Sequence, residues 1–434
     1  MDEKDTQYLE CTLSDTDLFS PSFVQKDIQQ GVFEDVFPIS KLNDNGPIEF
    51  IVDNATEKFL DLANSYIKFK VKIVKNDGSN LDDENVVVPI NYLIGTMFNQ
   101  VDLVLGGTTV SSSNNLYSYR AYLEALLNHG RDSKKSQLQM GLYFKDPAGK
   151  LEDVTVAGNS AVKQKFDIFK GSKIVELSGQ LHCDLFNQGR LMLNGVSLRI
   201  ILHRNRSPFS LMCAENNPNY KLNIVEAVCC LRKVTLTSHK FLELQKQLES
   251  IPACYPIDRI DVRTHSVAAG LNHFIWDNCY QGQLPTRIFV GLVDNDSASG
   301  VFEKNPLNFK NYNLRKVSTL VNGESLPGHP MKLDFTNDQY IDGYRSLFST
   351  TSKLNSDAGL DISRADYKNG YTLFGFNLTP TLCSNGHSEM IKQGTLKVEL
   401  EFQQALQSTI SVIIYAEFEN IISIDKYRNV IKNF

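Results

Sequence analysis

The sequence predicts an all-β chain of two tandem sandwiches, and three observations carry that prediction. Apolar and polar residues alternate with a period of two in clear runs, helical spacing is confined to three short segments, and one order of elements occurs twice. The 434 residues allow about 200 for each copy, an ordinary size for an all-β domain. Composition agrees: 42% of residues are hydrophobic and 22% charged, which excludes a disordered or collagen-like chain.

The elements follow from local pattern. Ile67, Phe69, Val71 and Ile73 alternate with Lys68, Lys70 and Lys72, and Leu396, Val398, Leu400 and Phe402 alternate with Lys397, Glu399 and Glu401. Each run reads as a strand with one dry and one wet face. Further strands are expected at 48–52, 100–105, 173–185, 196–203, 225–237, 260–267, 287–293 and 409–418. Gly106-Gly107, between Val101–Leu105 and Thr108–Val110, signals a two-residue hairpin, because glycine reaches positive φ without steric cost. A helix is expected at 115–128, with Tyr119, Tyr122, Leu123, Leu126 and Leu127 on one face and Ser113 or Asn114 as its cap. A second is expected at 339–348, with Tyr340, Ile341, Tyr344, Leu347 and Phe348 on one face and Asp338 as cap. A third, at 240–248, carries Phe241, Leu244 and Leu248 and is followed by Pro252 and Pro256.

The two halves share an order. A Tyr-Arg helix (Tyr119-Arg120, Tyr344-Arg345) precedes a strand with a glycine (Gly179, Gly375), then a Gln-Gly pair (Gln188-Gly189, Gln393-Gly394), then two strands. The Gln-Gly pairs lie 205 residues apart and the Tyr-Arg pairs 225, so loop lengths differ between copies. The expected fold is therefore all-β, two tandem eight-stranded jelly-roll sandwiches with a few short helices in connecting loops. The expected division is an acidic arm at 1–44, a first jelly roll at 45–237, a helical linker at 238–256, and a second jelly roll with a C-terminal tail at 257–434.

The net charge of -6 is concentrated at the N-terminus. Residues 1–44 hold three bases against ten acids, a balance of -7, which leaves +1 for the remainder. Such an arm repels phosphates, and no basic run elsewhere offsets it, so strong direct nucleic-acid binding is not expected. By composition the arm is a solvated, flexible tail. Leu18, Phe19, Phe23, Val24, Phe33, Val36 and Phe37 keep open an arm that orders against a neighbouring subunit. No apolar run reaches the ~18 residues of a membrane span, and the acidic start lacks a signal-peptide pattern. The eight scattered cysteines (Cys11, Cys183, Cys213, Cys229, Cys230, Cys254, Cys279, Cys383) form no CxxC pair and read as small buried residues in a reducing compartment. On that reading the sequons at Asn54, Asn205, Asn295 and Asn377 are chance.

No nucleotide-binding, hydrolase or zinc-protease motif occurs. The histidines (His129, His182, His203, His239, His265, His273, His329, His387) are never closer than eight residues, whereas a metal site needs converging donors. Asp82-Asp83-Glu84 reads as a solvated hairpin tip, and Asp294-Asn295-Asp296 as a turn. No catalytic, cofactor-binding or metal-binding residue is assigned, and the chain is not expected to be an enzyme. A jelly-roll carbohydrate-binding protein and a bicupin-like metalloenzyme are the other function classes weighed, the latter disfavoured by the scattered histidines.

Several strings together carry a resemblance: Tyr119-Arg120-Ala121-Tyr122-Leu123-Glu124, residues 277–287 (DNCYQGQLPTR), Val290-Gly291-Leu292-Val293-Asp294-Asn295, Asn305-Pro306-Leu307-Asn308-Phe309, residues 369–379 (NGYTLFGFNLT), Tyr415-Ala416-Glu417-Phe418-Glu419-Asn420 and Ile424-Asp425. Over about residues 45–430 the chain resembles the hexon-type major capsid proteins of Polinton/Maverick elements and adintoviruses. The resemblance implies a double jelly-roll capsid subunit that forms homotrimeric, pseudo-hexagonal capsomers tiling an icosahedral shell around double-stranded DNA. It also implies neighbouring capsomers and penton or minor capsid proteins as partners. The chain would then reside in the virion capsid, assembled in the nucleus or cytoplasm of a host cell. The family supplies no catalytic residues, and the arm at 1–44 matches none of its patterns. On their own chemistry the matched strings are strand ends and turns, with Gly291 at a close backbone approach.

Overall fold

The computed structural model describes residues 14–16, 18, 24–42, 46–54, 57–111, 113–215, 218–382 and 388–434. In chain order the strands of the first lobe are β1 (Ile28–Val36), β2 (Ile48–Val52), β3 (Phe59–Lys75), β4 (Val87–Pro89), β5 (Phe98–Leu105), β6 (Thr108–Ser111), β7 (Val175–Gly179), β8 (Leu198–Arg204), β9 (Leu211–Cys213) and β10 (Tyr220–Leu236). Those of the second are β11 (Ala253–Val267), β12 (His273–Gln283), β13 (Arg287–Asp294), β14 (Leu314–Val321), β15 (Glu324–Lys332), β16 (Leu373–Asn377), β17 (Gln393–Phe402), β18 (Ile410–Ile424) and β19 (Val430–Lys432).

The first lobe pairs β1-β10-β3-β7 in one sheet and β2-β8-β5-β6 in the other, with β4-β9 as a small separate pair. The second pairs β11-β18-β13-β16 and β12-β17-β14-β15, with β19 added to β18. Leaving out the accessory strands, each lobe has eight strands joined in the same orders, 1-8-3-6 and 2-7-4-5. All these pairings are antiparallel, and two such four-stranded sheets face to face make a jelly roll. The chain is two of them in tandem.

Alternation buries the inner faces. Ile67, Phe69, Val71 and Ile73 of β3 are at most 1% exposed, while Lys68, Lys70 and Lys72 point outward. Each such side chain contributes about 1.5–3 kcal/mol by leaving water. Gly106 and Gly107 take φ values of 52° and 83°, as the tight β5–β6 turn requires. Gly291 lies on β13 where a Cβ would meet Phe309 at 2.5 Å and Leu373 at 2.8 Å, both buried. Gly291→Ala is therefore expected to cost about 1–3 kcal/mol by overpacking, read from the urea midpoint.

The helices used below are α1 (Leu93–Thr96), α2 (Tyr117–Asn128), α3 (Arg131–Lys135), α4 (Ser160–Phe169), α5 (Ser207–Ser210), α6 (Ser238–Leu248), α7 (Asn295–Ser299), α8 (Ile341–Thr350) and α9 (Arg364–Lys368). The Tyr-Arg helices α2 and α8 both fill the connection between fifth and sixth strands, and Gly179 and Gly375 both sit on the sixth. The Gln-Gly pair is the loosest match: Gln393-Gly394 opens β17, whereas Gln188-Gly189 lies in the loop ahead of β8.

Several expectations are corrected. The strand expected at 173–185 is only β7, because the chain then turns through a short 3-10 segment (Asp184–Phe186) that points Asp184 at Arg120. Neither Ser113 nor Asn114 caps α2 with its side chain; the Ser113 hydroxyl accepts instead from the Val101 N–H. Asp338 does not cap α8 but accepts from Lys368. Asp294-Asn295-Asp296 is more than a turn: Asp294 ends β13 and caps α7 by accepting from the Asp296 N–H. Part of the acidic N-terminal stretch is built into the first lobe, since β1 pairs along β10 from Ile28 to Val36. Pro256 stands within β11, which begins inside the stretch read as linker. Cys11, Cys383, His387, Phe19 and Phe23 lie outside the described residues.

The seam between the two sandwiches as candidate functional site

A chain of two matched lobes needs a fixed relation between them, and the most unusual chemistry of the molecule lies there. Helix α2 is buried along almost its whole length, including two ionised residues one turn apart. Arg120, 2% exposed, donates through Nε to Glu124 Oε1 at 2.8 Å and through Nη2 to Asp184 Oδ1 at 2.7 Å. The Asp184 carboxylate also accepts from the Ile260 N–H of β11 at 3.2 Å, which ties the first lobe to the second. His182 Nδ1 lies 2.7 Å from Glu124 Oε2, and its Nε2 lies 2.8 Å from the Tyr92 hydroxyl. Because an ionised carboxylate only accepts, Nδ1 carries the proton toward Glu124. Burial alone would raise the Glu124 carboxyl, but Arg120 and His182 together pull it down to about 2.

At one end of the lobes the fifth-to-sixth connections of both meet. Lys134, on α3 and 3% exposed, donates to Leu126 O at 2.8 Å in its own lobe and to Leu360 O at 2.5 Å in the other. Burial lowers its ammonium to about 7 against the pull of Asp361. Lys145 pairs with Asp366 at 2.7 Å, and Asp366 is locked in the capping box of α9. Tyr371 donates to Asp146 O at 2.8 Å, and Lys353 to Asn128 O at 2.8 Å. The rings of Tyr143, Tyr122 and Phe309 stack across the same joint at 6.5 and 6.4 Å. At the other end Arg190 donates to Cys254 O at 2.6 Å, and Arg428 Nε to Asn194 O at 2.8 Å. Since equivalent connections of the two lobes meet at one end, the sandwiches stand side by side and point the same way.

The sequence flagged none of these residues as functional. Arg120 and Glu124 show helical spacing, but nothing local reveals that both are buried. Among the described residues the histidines do not converge: His203 pairs with Asp102 at 3.3 Å and His273 with Glu399 at 3.0 Å, and no three metal-ligating side chains come together. Asp82 and Asp83 pair with Lys75 and Lys170. Five of the described cysteines are buried and Cys254 is exposed. The outer face of β1 is open, with Phe33 57% exposed, and Phe37 and Ile39 beyond it are each 63% exposed. No described helix is long and apolar enough to cross a membrane.

The topology and the seam define a double jelly-roll protein, and comparison with solved structures agrees over nearly the whole length. The chain is similar to a protein in the cryo-EM structure of the Sputnik virophage (TM-score 0.64, 12% identity, 98% of this chain and 93% of that one). It is similar to a chain of the PBCV-1 virus capsid (TM-score 0.60, 9% identity, 96% and 99%) and to the mavirus major capsid protein (TM-score 0.54, 12% identity, 98% and 96%). At these identities the likeness establishes the double jelly-roll fold. A Caenorhabditis elegans protein described as "Uncharacterized protein F54H12.2" is 26% identical over 397 residues, covering 88% of this chain and 92% of its own length. No family model matches the chain.

Proposed function

We propose that this chain is the major capsid protein of a virus or virus-like mobile element, a structural protein without catalytic function. One observation carries the reading: two sandwiches of identical strand order stand side by side on a buried polar seam, and the likeness to capsid proteins runs nearly end to end in both partners. Three copies of a two-lobed chain present six similar lobes. Such a ring has a hexagonal outline under true three-fold symmetry, which suits a lattice. Homotrimeric capsomers, neighbouring capsomers, and penton or minor capsid proteins are the partners on this reading, and the assembled virion is the location. The strings at 119–124, 277–287 and 369–379 support a place in the Polinton/Maverick–adintovirus group.

The test is mass in solution. Light scattering of the purified protein is expected to give about three times 48.9 kDa, with hexagonal particles in negative stain. A stable monomer at assembly concentrations overturns the reading. Weak DNA binding is expected as well, because net charge is negative and no basic run exists. A salt-dependent nanomolar affinity for duplex DNA contradicts that part.

A further inference from the structure

Where β8 hands over to β10, a cleft of about 610 Å³ opens at the junction of the lobes. Arg206 and Lys221 line it beside Arg204, which donates to Leu42 O at 2.6 Å, and no described acidic residue lines it. Lys221 Nζ donates to Asn76 O at 2.7 Å, and Arg206 donates to Ser299 O of the second lobe. Both acceptors are neutral, and neither cation forms an ion pair among the described residues, unlike Lys70 or Lys75 of the neighbouring strand. Asp77 feels the charge of Lys221, but its carboxylate is taken by the Ser79 N–H and hydroxyl. Met97 and Ile224 from the first lobe and Phe302 from the second give the cleft apolar walls.

The fold does not require these charges. In the second lobe the seventh strand exits through Gln403-Gln404 and the eighth opens on Ile410-Ser411, all neutral. The same jelly-roll corner therefore closes without cations. In a chain of net charge -6, clustered positive groups against low-dielectric walls focus a field on an anion. The volume lies within the range of small-ligand sites.

We propose that this cleft binds a tetrahedral oxyanion, a phosphate or sulfate ester carried on a compact polar body. A guanidinium fork matches two oxygens of such a group, and an ammonium adds a point charge. Duplex DNA is a poorer match, because it needs cations spread along a stripe to neutralise successive phosphates.

The test is calorimetric titration of the full-length protein with glucose 6-phosphate, glucose 6-sulfate and glucose. At least one ester is expected to bind where glucose does not, and the preferred ester identifies the source of the anion. Arg206→Gln and Lys221→Gln are each expected to weaken binding about tenfold or more, the loss of one charge-assisted hydrogen bond. Arg206 also touches the second lobe, so Lys221→Gln, whose bond stays within the first, separates binding from lobe docking. Its thermal midpoint is expected to stay unchanged. Ester binding unaffected by Lys221→Gln, esters binding no better than glucose, or duplex DNA binding tighter than either ester through these residues overturns the proposal.

Discussion

Arg120→Met is expected to destabilise the protein by about 3–5 kcal/mol, read as a lowered urea midpoint. The substitution keeps most of the side-chain volume but leaves Glu124 and Asp184, 4% and 3% exposed, without their shared cation. Two buried carboxylates stripped of their guanidinium, with only His182 left beside Glu124 and the Ile260 N–H beside Asp184, are far costlier than a lost surface contact. Arg345→Met is the matched control, because Arg345 is the repeat counterpart on α8 and is exposed. It is expected to change stability by no more than about 0.5 kcal/mol. Adding Glu124→Gln and Asp184→Asn to Arg120→Met is expected to recover part of the loss, since it removes the stranded charges. Equal effects of the two arginine substitutions would mean that the seam does not depend on this cluster.

Lys134 is expected to make stability rise with pH in the alkaline range. Its ammonium lies at about 7 in the folded protein against an ordinary 10.5, so between those values the unfolded chain binds more protons. The burial penalty is complete below about pH 7 and fades as pH rises toward 10.5. Asp361, Lys145, Lys353 and the Tyr143 ring face the same group. Lys134→Met removes the titration and keeps the stem. Relative to that variant, wild-type unfolding free energy is expected to climb by up to about 1.4 kcal/mol per pH unit across the window. A difference that stays flat from pH 7 to pH 10 refutes the assignment.

Strands with strict period-two alternation were legible in the sequence, as β3 and β17 demonstrate, whereas β14 was not, although its Leu314, Val317 and Val321 are buried. Strands that lack a dry face were not legible either. In β1 every residue is exposed or half-buried, so no alternation marks it, and its acidic side chains suggested a tail. The edge strand β12 was missed for a similar reason, since Ile275 and His273 face outward and a register break follows Trp276. Helix α4 did carry a signal: Asn159 caps it by accepting from the Ala161 and Val162 N–H groups, with Val162, Phe166 and Phe169 at helical spacing behind it. The seam was illegible because burial of a charge is a tertiary fact. Lys134 sits in a run of polar residues that resembles any solvated loop, and its second acceptor is 226 residues away.

Each lobe joins its first strand to its eighth, which sets a timetable for biosynthesis. The first sandwich has all its strands once Leu236 has been added, and 198 residues of this sequence follow it. At a typical ~5–20 residues per second that is roughly 10 to 40 seconds. Throughout this interval the nascent half displays Asp184 and Lys134 with their second-half partners, the Ile260 N–H and the Leu360 carbonyl, still missing. Cotranslational pulse proteolysis should find that surface open until β18 emerges.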